Sequence, residues 1–445
     1  MVNSPPLAET ASFSIQALKI ALPQVVQNQL KNLLLEGLSW MIMGTRRDEG
    51  RRLISPWRGS HGGTGSVAGC PDHVPFVEAA RLNASLSQVY DCNDGRRMAW
   101  LQGGLWHPGR YVIPTAIALA EHYRLSGDDL LRLMALGYDV GGKIQYPDNS
   151  MAGAWAVASM TAAASGATMD SARRALVLGH FSYPNQPRWP DDWDLNHVKY
   201  GLIVRAGMQA ALMAGESSCL PEEQCRVTLR EPYYWKNPHD LDGHESLKLY
   251  VKPYNACRAL HGVITLALHA RKNHGVRPEN IERVEFILGD VEPAQLNPYR
   301  ANTHFKYAQF SVPYVAACAF VDGSIDVDQF DQAHLVSPQI HALQSRISSV
   351  IDEKHCAKTA VWNEPSSVKI FLRDGEMLEN SLIATPGSSR NPLSDEERAA
   401  KFKRWTEGAL TTSAQQKAIE LVERIDALNS VDSLAELLRG VKVAT

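Results

Sequence analysis

Ser126-Gly127-Asp128-Asp129-Leu130-Leu131-Arg132-Leu133-Met134-Ala135-Leu136-Gly137 opens like the start of a helix. A serine three residues ahead of an acid resembles a capping box, in which each side chain accepts a hydrogen bond from the other residue's backbone N–H. Leu130, Leu133, Met134 and Gly137 then recur at helical spacing. Upstream, Tyr111 to Ala120 is apolar. Downstream, Met151 to Ala167 is rich in Ala, Ser and Gly, which suits helices packed closely together. Thr168 or Asp170 caps a further helix carrying Ala175, Leu176 and Leu178, and Arg205 to Ala214 reads as another. Helix after helix with short turns indicates an all-α bundle.

The pattern changes near residue 250. Asn255 to Lys272 keeps helical spacing through Leu260, Val263, Ile264 and Leu268, but Ile281 to Leu288 places apolar residues at 281, 284, 286 and 288. Phe310 to Phe320 is an apolar helix candidate ending at Asp322-Gly323. Val368, Ile370 and Leu372 alternate into Asp374-Gly375, a hairpin signal. Pro386 to Pro392 is a linker, after which Asp395 to Trp405 and Ser413 to Leu438 return to amphipathic helix. A mainly α chain is expected. Its large helical domain (residues 1–250 and 395–445) is interrupted by a smaller α+β lid (residues 251–394).

Composition removes several function classes. Among 445 residues, 45 Lys and Arg stand against 48 Asp and Glu, a formal charge of −3 that leaves no electrostatic footprint for nucleic acid or an anionic membrane. No apolar run reaches the ~20 residues that span a bilayer, and no basic segment precedes an apolar one as in a secretory signal. Seven cysteines without a CxxC pair favour reduced thiols in a cytoplasmic protein. There is no GxSxG elbow and no Cys/His signature, which argues against a covalent hydrolase. Gly62 to Gly69 lacks the Lys-Ser/Thr of a phosphate loop and reads as a plain loop or small hairpin. His239, Asp240, Asp242 and His244 read as a solvated loop without a helix to fix ligand spacing. No metal and no nucleotide cofactor is therefore expected.

Three stretches carry chemistry. Asp91-Cys92-Asn93-Asp94 precedes a loop ending in His107-Pro108. Lys252-x-Tyr254-x-x-Cys257-Arg258-x-x-His261 puts two cations at the mouth of a helix with a His one turn later. Ala308 to Tyr314 places a Tyr on the first turn of an apolar helix. Together they supply acids or bases and fixed positive charge, which chemistry on a polycarboxylate needs.

In order along the chain, these and neighbouring stretches resemble the MmgE/PrpD family, which includes 2-methylcitrate dehydratase, cis-aconitate decarboxylase and iminodisuccinate epimerase. The matching segments are His107-Pro108-Gly109 through Ile113-Pro114 to Glu121, Gly137-Tyr138-Asp139-Val140, Lys252 to His261, Phe310 to Tyr314 with Asp322-Gly323, and Asn391-Pro392-Leu393-Ser394 before Lys401-Phe402. The resemblance implies a homodimer with no organic cofactor and an active site between the helical domain and the lid. It also marks departures. Gly95 replaces a Thr of the acidic segment, Gln88 stands where many members have His, and the loop before His107 is longer and carries Arg96 and Arg97. No His lies near Pro147 to Ser150, where the decarboxylases have a second one. Lys199 and Arg205 fall in the family's substrate-contacting basic region.

Proton removal alpha to a carboxylate builds negative charge that prepositioned cations stabilise. Lys199, Lys252, Arg258, Arg96 and Arg97 are the candidates for binding. His107 and His261 are expected as base and acid, Asp91 as the residue orienting His107, and Tyr314 as proton donor or carboxylate anchor. The first expectation is a hydro-lyase acting on a citrate-like hydroxy-polycarboxylate. Epimerisation, isomerisation or decarboxylation of a related acid runs on the same groups, and a non-catalytic family member is the remaining alternative.

Overall fold

The computed structural model describes residues 5–60, 62–97, 105–145, 149–182, 193–215, 228–229, 240–289, 293–352 and 366–443. Its first half is a stack of helices: α1 (Pro5–Gln16), α2 (Gln24–Gly44), α3 (Asp48–Ile54), α4 (Phe76–Ser87), α5 (Gly109–Tyr123), α6 (Gly127–Lys143), α7 (Asn149–Ala164), α8 (Met169–Ser182) and α9 (Trp193–Met213). Both halves of the capping box at α6 form: the Asp129 N–H donates to Ser126 Oγ and the Ser126 N–H to Asp129 Oδ2. Small residues set the spacing of α7 and α9. A Cβ added to Gly207 would lie 2.7 Å from the Ala154 carbonyl oxygen. The glycine-rich stretch after residue 62 is a small hairpin, β1 (Gly65–Val67) and β2 (Cys70–Val74), turning at Gly69 with φ +77°. Two short ribbons, β3 (Arg96–Arg97) with β4 (Leu105–Trp106) and β5 (Ile144–Gln145) with β6 (Thr228–Leu229), complete this half.

The second half mixes elements: α10 (His261–Asn273), β7 (Ile281–Leu288), α11 (Phe305–Gln309), α12 (Val312–Asp322), α13 (Gln332–Leu335), α14 (Pro338–Gln344), β8 (Ile347–Ile351), β9 (Ser366–Leu372) and β10 (Met377–Leu382). The sheet runs β10-β9-β7-β8, with β7 and β8 parallel and the other pairs antiparallel. Val284 faces Ile370 and Phe286 faces Val368 across the β7–β9 ladder, and all four are buried. Pairs of this kind, covered by α10 and α12, make the sheet's core. The helix expected from Asn255 begins only at His261. Ahead of it residues 253–256 bend and Arg258–Leu260 makes one 3-10 turn, with the Asn255 N–H donating to the Ile325 carbonyl and the Cys257 N–H to that of Gln309.

The tail forms α15 (Asp395–Trp405), α16 (Thr412–Glu423) and α17 (Asp432–Arg439). α15 and α16 pack on α2, and α17 packs on β1. The expected continuous helix from Ser413 to Leu438 is broken between Glu423 and Asp432, where the Leu428 carbonyl accepts the Gly127 N–H at the start of α6. The protein is mainly α with small sheets. No helix among the described residues is long and apolar enough to cross a membrane.

Candidate active site

After α4 the chain runs through Gln88–Gly95 inside the molecule, alongside residues 250–252. Gly95 and Tyr250 exchange both backbone hydrogen bonds, at 3.2 and 2.9 Å. This pairing brings Lys252, 1% exposed, against Asp91. The ammonium donates to Asp91 Oδ2 at 2.7 Å and to the Asp91 carbonyl at 2.9 Å. Burial alone would raise the Asp91 carboxyl, but the charge of Lys252, with His107 and Lys306 behind it, holds it below the usual carboxylate range. Gln309 braces the corner, accepting the Asp91 N–H and donating to the Asn255 side chain at 2.9 Å.

His107 is oriented by Asp94 rather than by Asp91. Its Nδ1 lies 2.6 Å from the Asp94 carbonyl oxygen, which can only accept, so Nδ1 carries the proton and Nε2 keeps its lone pair. Among the described residues nothing bonds to Nε2, and the ring is partly accessible. Burial, helped by the Arg110 and Lys252 cations, pushes the imidazole down to about 3, so the ring is neutral at physiological pH. Asp94 in turn is locked by the Gly109 N–H and the Tyr138 hydroxyl, at 2.9 and 3.0 Å, and burial raises its carboxyl to about 7. His261 is fully buried. Its Nε2 donates to the Ala256 carbonyl at 3.1 Å, and burial together with Arg258 and Lys252 drives its pKa far below the usual value. The Lys252 charge thus reaches both imidazoles. The guanidinium of Arg258 donates to Thr385 Oγ1 and lies 5.0 Å from the Tyr250 ring centroid.

Residues 9–217 match the MmgE/PrpD N-terminal domain, and residues 254–427 match the MmgE/PrpD C-terminal domain. The chain belongs to the MmgE/PrpD family. Among curated proteins it is similar to the cis-aconitate decarboxylase of Mus musculus, 24% identical over 481 aligned residues that cover 98% of this chain and 94% of that protein. The enzyme of the same name from Homo sapiens is 22% identical over 472 residues, covering 98% of this chain and 95% of that protein.

Within this MmgE/PrpD chain Gly95 has a steric reason. A Cβ there would lie 2.7 Å from His107 Nδ1 and 2.6 Å from the Tyr250 hydroxyl, so a Thr is incompatible with the position His107 takes. Several predicted groups lie outside the cluster. The Tyr314 hydroxyl donates to the Gln329 carbonyl at 2.5 Å, and its ring packs on Tyr299. Burial raises this phenol well above its normal range, so the hydroxyl stays protonated and is a weak acid at physiological pH. Arg96 pairs with the buried carboxylate of Glu245, which also takes Lys248 at 2.9 Å. His244, next to Glu245, is buried rather than solvated, whereas Asp240 and Asp242 are exposed as expected. The Arg97 side chain lies outside the described residues, as do His239 and Pro147-Asp148. Lys199 is half-buried on α9, and Arg205 pairs with Glu78 at 3.5 Å.

Two buried cations were missed from the sequence. Lys306 donates to the Gln88 carbonyl at 2.8 Å, and burial lowers it to about 8 against the pull of Asp91. Arg110 donates to Gln88 Oε1 at 2.7 Å. The available signal was charge inside apolar segments. Among the described residues no three His, Cys, Asp or Glu side chains converge as a metal site needs.

Proposed function

We propose that the protein is a cofactor-independent lyase that removes a proton alpha to a carboxylate of a citrate-like polycarboxylate. The observation that carries this reading is the His107 ring, whose Nδ1–H is fixed on the Asp94 carbonyl so that Nε2 keeps its lone pair for a substrate C–H. Lys252 supplies fixed positive charge where the enediolate develops, while Asp91 holds the ammonium in place. In a low-dielectric site such charge lowers a barrier by several kcal/mol. His261, neutral and with Nε2–H tied to the backbone, is a poor proton donor. Lys306, lowered to about 8 by burial, is the better acid for a leaving hydroxyl. Dehydration of a hydroxy-polycarboxylate is the primary reading.

Decarboxylation is the second, favoured by the names of the two mammalian relatives. It would use the same cations on the carbanion left by loss of carbon dioxide. A homodimeric cytoplasmic protein is part of the same proposal. Incubating citrate, methylcitrate, cis-aconitate and iminodisuccinate with the protein and following them by NMR tests it. Loss of water from a hydroxy acid supports the first reading, and release of carbon dioxide supports the second. No reaction with any of the four counts against both.

A further inference from the structure

Arg110 sits on the first turn of α5, three residues after His107, and is 7% exposed. Its guanidinium stacks on the Tyr200 ring, 3.3 Å from the centroid, and Nη1 donates to the neutral amide oxygen of Gln88. Its Nε is buried without a hydrogen-bond partner. Among the described residues no carboxylate lies within ion-pair distance of it. Asp94, the carboxyl whose charge it feels, already has both oxygens engaged by Gly109 and Tyr138.

A buried guanidinium without a counter-ion among the described residues is costly, because its charge is desolvated and not repaid by a pair. Gln88 and Tyr200 fix the orientation of the fork without neutralising it. Gln88 further ties this group to Lys306, whose ammonium donates to its main-chain oxygen, and Arg110 is close enough to influence both His107 and Lys306. The arrangement is what a receptor for an anion looks like before the anion arrives. Guanidinium groups recognise carboxylates through paired N–H donors, which a lysine cannot reproduce.

We propose that Arg110, steadied by Gln88 and Tyr200, is the recognition residue for a second substrate carboxylate, separate from the one at Lys252. This rests on the lyase reading above and assigns one of the substrate's carboxylates to Arg110, across the carbon that faces His107 from the carboxylate at Lys252. A monocarboxylate would use only half the site.

The probe is propane-1,2,3-tricarboxylate, which has no hydroxyl to lose and so reports binding alone. Its Kd is measured calorimetrically with wild type, Arg110→Gln and Arg110→Lys. Butyrate, with a single carboxylate, is followed by NMR titration on the same proteins. Arg110→Gln should weaken the tricarboxylate at least tenfold and leave butyrate within about twofold, a split that general damage to the fold would not give. Arg110→Lys, which keeps the charge and guards against misfolding of the Gln variant, should weaken the tricarboxylate by several-fold. Equal tricarboxylate affinity in all three proteins overturns the role of Arg110 and leaves the lyase reading standing. A wild type that binds no tricarboxylate overturns both.

Discussion

Replacing His107 with Asn separates the two jobs of the imidazole. The shorter amide can still donate to the Asp94 carbonyl that now takes Nδ1–H at 2.6 Å, but nothing replaces the Nε2 lone pair. The ring's pKa falls from 6.5 to about 3, and at 1.36 kcal/mol per unit that is about 5 kcal/mol in favour of the neutral form. The unfolded chain takes up a proton at this residue below pH 6.5 while the folded one does not, so stability is lost as pH falls from 6.5 toward 3. Between pH 6.5 and 5 the loss is about 2 kcal/mol. His107→Asn removes that contribution. Its unfolding free energy relative to wild type should therefore improve by about 2 kcal/mol on going from pH 7 to pH 5, measured by denaturant titration. NMR of the wild-type ring should show no titration between pH 5 and 8, and kcat in the variant should drop roughly 10²–10⁴-fold. A ring that titrates near 6.5, with a pH-independent stability difference, would refute the reasoning.

Lys401 donates to the Lys252 carbonyl at 2.9 Å and pairs with buried Glu36 at 2.5 Å, so Lys401→Met should destabilise by about 3–5 kcal/mol in chemical unfolding. Adding Glu36→Gln should recover part of that loss. Burial raises Asp139 to about 7, so stability falls as pH climbs from about 4 to 7, where only the unfolded state has shed this proton. Asp139→Asn should raise Tm at pH 8 more than at pH 5. A Cβ on Gly109 would lie 2.7 Å from both Asp94 carboxylate oxygens, so Gly109→Ala should cost about 1–3 kcal/mol and lower kcat, both checked against wild type.

Patterns carried by neighbours in the chain were legible. The strand Ile281–Leu288, the helix Asp395–Trp405 and the capping box at Ser126 follow from local alternation, spacing and capping residues. The pairing of Asp91 with Lys252 joins positions 161 residues apart, yet the sequence marks both, Asp91 by its place before the His107 loop and Lys252 as one of two cations at the mouth of a helix. Contacts through the backbone were not legible. The group that orients His107 is the carbonyl of Asp94, which any residue would offer. Arg96 appeared suited to a substrate because its partner Glu245 lies 149 residues away in an unremarkable polar stretch. Arg110 is hidden because its partners, Gln88 and Tyr200, lie on distant segments of the chain.

The most direct measurement is solvent deuterium incorporation at the carbon alpha to a carboxylate, followed by proton NMR with citrate and methylcitrate in D₂O. Wild-type protein should exchange or eliminate that hydrogen, and His107→Asn should slow the process roughly 10²–10⁴-fold while its circular dichroism is unchanged. Exchange that persists at the wild-type rate in the folded His107→Asn variant would contradict the assignment of Nε2 as the base.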